Sequence, residues 1–322
     1  GACRRAFGQE VLRVKGKHMK KILVIGSLNM DQVLQIEHTP VPGETILCRD
    51  MKLVCGGKGA NQAFTCGRLG CNVEMLGSVG QDENGDALLT NLMKEGVETC
   101  HVQRLSDHPT GVAVIAVENS GNNSIIVIQG ANLMTDEAYI RANTDRILEA
   151  DAIVLQLEIP LPAVTLAAKE GKKAGKLVVL DPAPAAKLPD ELYHCVDILK
   201  PNETELGLLT GMPTDSPEEV ETAARCLLER GVKNVVVTLG GAGAMLVNEG
   251  GSVVFPGKKV EVADTTAAGD SFTAAMTMLL AQGYPLEQAI TFAIEVAAIV
   301  VTRPGAQSSI PKADEIAKLL DK

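Results

Sequence analysis

The sequence predicts an α/β fold: a doubly wound, mostly parallel central sheet with helices on both faces and a small antiparallel β lid. Three observations carry this expectation. Short, continuous apolar runs end at glycine or a polar residue, as strands buried on both faces do. Longer stretches of helical period separate these runs, and strand–helix–strand order calls for parallel pairing through right-handed crossovers. Two early segments break that rhythm with alternating residues and turn signals, which suits hairpin-like pieces over the mouth of the sheet.

In order along the chain, residues 1–18 are basic and patternless and lack the apolar stretch of roughly 7–15 residues that a signal peptide needs, so they read as a leader or cloning remnant before Met19. A single α/β domain is expected over 19–322. Ile22 to Ile25 forms the first strand, closed by Gly26. Residues 32–54, with Pro40, Pro42 and Gly43, and 110–129, whose strand runs flank the turn 119–123, form the expected lid. Further strands are expected at 153–157, 177–180, 198–199 and 235–239, and helices at 162–175, 203–210 and 217–230.

Composition narrows the function. A formal charge of −10 argues against a nucleic-acid partner, since phosphate neutralisation needs an excess of Lys and Arg. No apolar run approaches the ~18 residues of a membrane span. Aromatics make up only 2%, with no Trp, so aliphatic residues and Met must fill the core. Eight cysteines form no CxxC pair and have no histidines at zinc spacing. They read as reduced, mostly buried thiols of a cytoplasmic protein.

Several segments can carry chemistry. In Asp264-Thr265-Thr266-Ala267-Ala268-Gly269-Asp270-Ser271 small residues precede an acid and then a helical pattern. A helix starting there offers unpaired amides and a partial charge of about +0.5 e, a seat for phosphate. Asp270 would be placed to take a proton from an attacking hydroxyl; taken alone, it is as readily an acid complementing the helix dipole. Cys55-Gly56-Gly57-Lys58-Gly59-Ala60-Asn61 lets backbone approach a ligand with Lys58 and Asn61 as polar hands, or is a turn with a surface lysine. It is not a Walker A loop, because no Gly-Lys pair is followed by Ser or Thr. Asn29 and Asp31 follow the first strand and share a side of extended chain, as a polyhydroxylated ligand requires, or form an Asx turn. Glu158 ends another strand. Asn202 in Lys200-Pro201-Asn202-Glu203-Thr204-Glu205 is a candidate ligand residue or a helix cap. Thr238-Leu239-Gly240-Gly241-Ala242-Gly243 fails the dinucleotide fingerprint. The loop 302–309 looks like an ordinary connection.

Together and in this order, GSLNMD at 26–31, GGKGANQA at 56–63, QLE at 156–158, DPAPA at 181–185, KPNETE at 200–205, TLGGAG at 238–243, DTTAAGDSF at 264–272 and TRPGAQSS at 302–309 resemble the ribokinase-like (PfkB) sugar kinase family. The resemblance runs from Lys21 to the end. It implies ATP-dependent phosphorylation of a sugar's primary hydroxyl, with D-ribose the foremost substrate and deoxyribose, fructose or a nucleoside as alternatives; a non-catalytic sugar-binding regulator is a rival of another class. It also implies Asp270 as base, with Ala267, Ala268 and Gly269 as anion hole. The sugar-contacting positions are Asn29, Asp31, Gly57, Lys58, Asn61 and Glu158. Asn202 and Glu205 organise Mg²⁺ and the phosphates, and Thr238, Gly240 and Gly243 lie along the nucleotide. Asp264, Thr266, Val300, Arg303, Gly305 and Ser309 match a potassium site, and the lid forms a homodimer contact.

Overall fold

The computed structural model describes residues 20–120 and 122–320; the expected leader at 1–18 lies outside the described residues. The strands are β1 (Lys21–Ile25), β2 (Asn29–Ile36), β3 (Asp50–Gly56), β4 (Asn72–Leu76), β5 (Ser78–Gly80), β6 (Gln103–Leu105), β7 (Gly111–Glu118), β8 (Asn123–Ile128), β9 (Ala152–Leu155), β10 (Leu177–Leu180), β11 (Ile198–Leu199), β12 (Asn234–Thr238), β13 (Gly243–Asn248) and β14 (Gly251–Pro256). The helices are α1 (Lys58–Arg68), α2 (Glu83–Lys94), α3 (Glu137–Ala142), α4 (Thr144–Glu149), α5 (Leu161–Lys173), α6 (Asp190–Tyr193), α7 (Glu203–Thr210), α8 (Pro217–Glu229), α9 (Ala268–Ala281), α10 (Leu286–Val301) and α11 (Ala313–Leu320).

Eight strands form the main sheet in the order β14-β13-β12-β11-β10-β9-β1-β4. Pairing is parallel from β4 to β12 and antiparallel at the β12–β13–β14 end. The pleat explains the apolar runs, because alternate residues of one strand go to opposite layers. Ile22 and Val24 join Val154, Val179, Phe272 and Met276 on one side. Leu23 and Ile25 join Ile153, Leu155, Val164 and Ala223 on the other. Each strand therefore needs apolar residues at every position.

The chain order reverses about β1, which lies between β9 and β4. In open α/β sheets the crevice beyond the strand ends at such a switch point is where ligands bind. The expected lid segments contain a four-stranded sheet, β3-β2-β7-β8. Its outer pairs are antiparallel, and the central pair β2–β7 is parallel, joining two hairpin-like pieces. β2 starts at Asn29, so this sheet grows directly out of the switch point. The thiols differ from the expectation of mostly buried cysteines: Cys66 is buried, Cys55, Cys71, Cys195 and Cys226 are half-buried, and Cys48 and Cys100 are exposed. Among the described residues, no helix is long and apolar enough to cross a membrane.

Candidate active site

Two helices aim their N-termini at the switch point, and neither carries a side-chain cap. α9 starts after Ala267, the one described non-glycine residue with positive φ, at 60°. That left-handed turn costs an alanine about 1 kcal/mol, and it redirects the backbone so that the Ala268 amide returns to the Thr265 carbonyl at 3.2 Å. The amides of Gly269 and Asp270 meet no acceptor among the described residues. They form an open anion cradle with the dipole of a 14-residue helix behind it. α1 starts after Gly57, whose φ of 90° favours glycine and where a Cβ would come within 2.7 Å of the Asn29 amide nitrogen.

Asp270, in the first turn of α9, is 6% exposed. Its Oδ2 accepts from Asn61 Nδ2 at 2.9 Å and its Oδ1 from Gln62 Nε2 at 3.2 Å. Burial raises its proton affinity, Lys58 and Lys200 oppose this, and Asp181 adds to it, for a net upward shift. Asn61 is held from behind by Gln307, which donates to its Oδ1 at 3.0 Å. Lys58 is also enclosed. Burial works against its charge, but Asp270, Asp181, Glu158 and Glu205 together hold it firmly protonated.

Around Asp270 lie the other expected sugar contacts. Glu158 Oε2 accepts from Ser27 Oγ at 2.5 Å and from the Lys58 amide at 3.1 Å, tying the end of β9 to the start of α1. Asn29 accepts from Asn132 Nδ2 at 2.7 Å, and Asn132 also brackets the Leu28 backbone. Burial, then Glu158 and Asp270, raise Asp31 to about 7. Asn29, Asp31, Gly57, Lys58, Asn61, Glu158 and Asp270 thus lie together at the switch point.

Asn202 and Glu205 form a reciprocal capping box at the start of α7, with the Asn202 amide donating to Glu205 at 2.8 Å and the Glu205 amide to Asn202 at 2.7 Å. Asn202 is therefore the helix cap that its position suggested, and the box faces the site. Glu205 is raised chiefly by burial and also by Asp181. Thr238 bridges to Asn202 across the strand ends. Gly240 and Gly243 bound the exposed turn after β12, beside the box. The box sets the hard oxygens of Asn202 and Glu205 on this edge, the donor type that suits a divalent cation brought with a nucleotide.

Asp264 draws two loops together. Its Oδ1 accepts from the Thr266 amide and hydroxyl at 2.8 and 2.6 Å, and its Oδ2 from the Gly305 amide at 2.8 Å. Burial opposes its charge, but these bonds hold its carboxyl below the usual range. The Arg303 guanidinium turns away to Glu315 at 2.6 Å, leaving only its carbonyl for the loop. Thr266, Val300, Gly305 and Ser309 lie in the same two segments, whose carboxylate, hydroxyl and carbonyl oxygens are hard donors.

Sequence reasoning assigned no role to Ser27, Gln62, Asn132, Asp181, Lys200 or Gln307, although all but Asn132 stand in the motifs at 26–31, 56–63, 181–185, 200–205 and 302–309. Their signal is polarity at positions that burial makes costly. Asp181 and Lys200 are 1% and 3% exposed and pair at 3.1 Å.

The profile of the pfkB family carbohydrate kinases matches residues 19–313. The ribokinase of Haemophilus influenzae is 39% identical over 302 residues, covering 94% of this chain and 99% of that protein. The deoxyribokinase of Salmonella typhi is 38% identical over 300 residues, covering 93% and 98%. The structure of Arabidopsis thaliana ribokinase complexed with ribose and ATP superposes with a TM-score of 0.89 at 36% identity, covering 95% of this chain and 100% of that one.

Proposed function

Because this chain belongs to the pfkB family of carbohydrate kinases, we propose that it transfers the γ-phosphoryl group of ATP to the primary 5-hydroxyl of D-ribose. The observation that carries the reading is the seat of Asp270, a buried acid held by Asn61 beside the two open amides of Gly269 and Asp270. A non-catalytic sugar-binding regulator has no use for such a base beside a phosphate cradle.

In the reaction, Asp270 takes the proton of the primary hydroxyl as that oxygen bonds to the γ-phosphorus. The bond from γ-phosphorus to the bridging oxygen breaks, ADP leaves with its electron pair, and Asp270 then gives its proton to solvent. The cradle amides face the negative charge of the transferring group, which is the main demand of phosphoryl transfer. Asn29, Asp31, Lys58 and Glu158 orient the sugar, and the β3-β2-β7-β8 sheet acts as a lid that keeps water from competing. The stretch around Thr238, Gly240 and Gly243 takes the nucleotide. Mg²⁺ bound with ATP would neutralise phosphate charge, with Asn202 and Glu205 as the residues holding it through water. K⁺ would be held by the 264–266 and 300–309 segments, and Asp264 steadies the loop that leads into Ala267. We place the protein in the cytoplasm, as a homodimer joined through the lid.

The relative that phosphorylates deoxyribose, at nearly the same identity as the H. influenzae ribokinase, gives deoxyribose second place. One assay separates the readings: ADP formation from ATP with ribose, deoxyribose, fructose or adenosine, each with and without K⁺. Ribose with K⁺ is expected to give the highest kcat/KM, and Asp270→Asn to lower kcat by at least about 100-fold with both substrates still bound. Preference for deoxyribose would move the substrate, indifference to K⁺ would remove the potassium site, and near-normal turnover by Asp270→Asn would end the assignment of the base.

A further inference from the structure

Behind Asp270 lies a chain of buried polar groups that the reaction above does not use. Gln62 Nε2 donates to Asp181 Oδ2 at 2.9 Å and to Asp270 Oδ1 at 3.2 Å, while Gln62 Oε1 accepts from Gln156 Nε2 at 2.6 Å. The orientation of this amide is forced. A primary amide has its two donors on one nitrogen, and turning Gln62 over would set its oxygen against two carboxylates. Asp181 in turn pairs with Lys200 at 3.1 Å, and Lys200 Nζ reaches the carbonyl of Gly269, the residue before the base, at 3.5 Å. The chain therefore touches Asp270 twice, through its side chain by Gln62 and through its backbone by Lys200.

We propose that the Lys200–Asp181 pair, acting through Gln62, is a positioning device that fixes the rotamer of Asp270 and sets how tightly it holds a proton. The inference rests on Asp270 being the base. Stability alone is a poor reason for the pair, since well-packed apolar residues generally do as well as a buried ion pair. Its place is also telling, at the carboxyl ends of β10 and β11, on the edge where the site lies. The groups facing Asp270 are Lys58, Asn61 and Gln62 from α1, Asp31 from β2, Asp181 after β10 and Lys200 after β11, with Glu158 and Glu205 facing Lys58. Within this set Asp181 and Lys200 act on Asp270 with opposite signs. Asp181 makes its carboxylate harder to form and Lys200 makes it easier.

Those opposite signs give the test a signature that a structural role would not produce. Lys200→Met, Asp181→Asn and the double variant Lys200→Met/Asp181→Leu are compared with wild type. The Asp270 carboxyl is titrated by NMR of ¹³C-labelled aspartate in the ligand-free protein, its resonance identified by loss in Asp270→Asn. Lys200→Met should move the midpoint up by at least about half a pH unit and Asp181→Asn down by a similar amount, with the double variant back near wild type. The acid limb of kcat/KM for ribose should follow the same order. Gln62→Leu, which leaves both charges in place, should lower kcat by about tenfold or more with KM for ATP unchanged. Midpoints that do not move, or that move the same way in both single variants, overturn the proposal, as does an unchanged kcat in Gln62→Leu. If Lys200→Met does not fold, the near-isosteric Asp181→Asn decides the sign by itself. The titration needs no substrate, so an error in the proposed reaction would show separately, as wild-type protein that titrates as expected but does not turn over.

Discussion

Asp31 is the residue whose chemistry sits nearest to neutrality. Among the described residues no opposite charge pairs with it directly, and burial with the charges of Glu158 and Asp270 lifts it to about 7. A raised carboxyl is neutral below its midpoint and charged above it, so Asp31 becomes a full acceptor for sugar hydroxyls only as pH rises through about 7. KM for the sugar should therefore grow as pH falls below that point, approaching tenfold per unit, while KM for ATP stays level. Steady-state kinetics across about two units on each side would read this directly. In Asp31→Asn that limb should vanish, leaving only the limb owed to Asp270; a limb that survives unchanged would assign it to another group. The same neighbourhood shows what the sequence hid. Asn29, Asp31, Glu158 and Asp270 could be picked out because the first three follow the ends of β1 and β9 and Asp270 opens α9. Gln62, Asp181 and Lys200 were not, because their partners lie on other elements that no local period records: Asp181 pairs with Lys200 at the end of the next strand, and the separations are 119 from Gln62 to Asp181, 208 from Gln62 to Asp270 and 69 from Lys200 to Gly269.

At the scale of elements, five of the six parallel strands of the main sheet were visible because burial on both faces writes an unbroken apolar run, and their observed ends lie within one or two residues of those expected; β4 was not expected, since Asn72 and Glu74 interrupt its run. What the lid strands pair with was less visible. An alternating strand shows which residues share a face but not which neighbour lies on each edge, so the parallel pairing of β2 with β7 carries no local signature. That pairing matters for the site. It sets Asn29 beside Gly111 on one edge and Gly56 on the other, and both neighbours are small because the polar groups of β2 lie against them. A Cβ on Gly56 would come within 2.2 Å of an Asp31 carboxylate oxygen. Gly56→Ala should therefore push the Asp31 carboxylate aside and raise KM for ribose by about tenfold, the loss of one good hydrogen bond to a charged group. Thermal unfolding should change little, because the substitution is at the last residue of a strand. A variant with normal KM would mean that Asp31 does not bear on the sugar, and one that unfolds would show that β3 holds the lid together.

The molecule as a whole leaves one surface unexplained by its own fold. Along β8, Ile125, Ile126, Val127 and Ile128 are all exposed, at 45–66%, and Met51 and Leu53 on β3 add 53% and 56%. The strand register sorts them. Asp31 lies across from Val54 and Ala113, and Ala113 across from Val127, so these share the face turned to the site. The other face carries Met51, Leu53, Val114, Ile126 and Ile128 around Gln32, a mainly apolar sheet surface with none of the described residues over it. Such a face beside an open strand edge invites association, and the lid contact proposed above places a second copy's lid there, face to face at the ~10 Å spacing of packed sheets. Light scattering should then give twice the chain mass for the wild type, and Leu53→Glu/Ile126→Glu should give the monomer, since a buried unpaired carboxylate costs several kcal/mol. Neither side chain faces the site, so the monomer should keep its affinity for ATP. Its KM for ribose should rise, because an unsupported lid closes less often over the sugar and the apparent affinity falls with the closed fraction. A variant that stays dimeric would move the interface off this face, and a monomer with unchanged KM for ribose would separate assembly from lid closure.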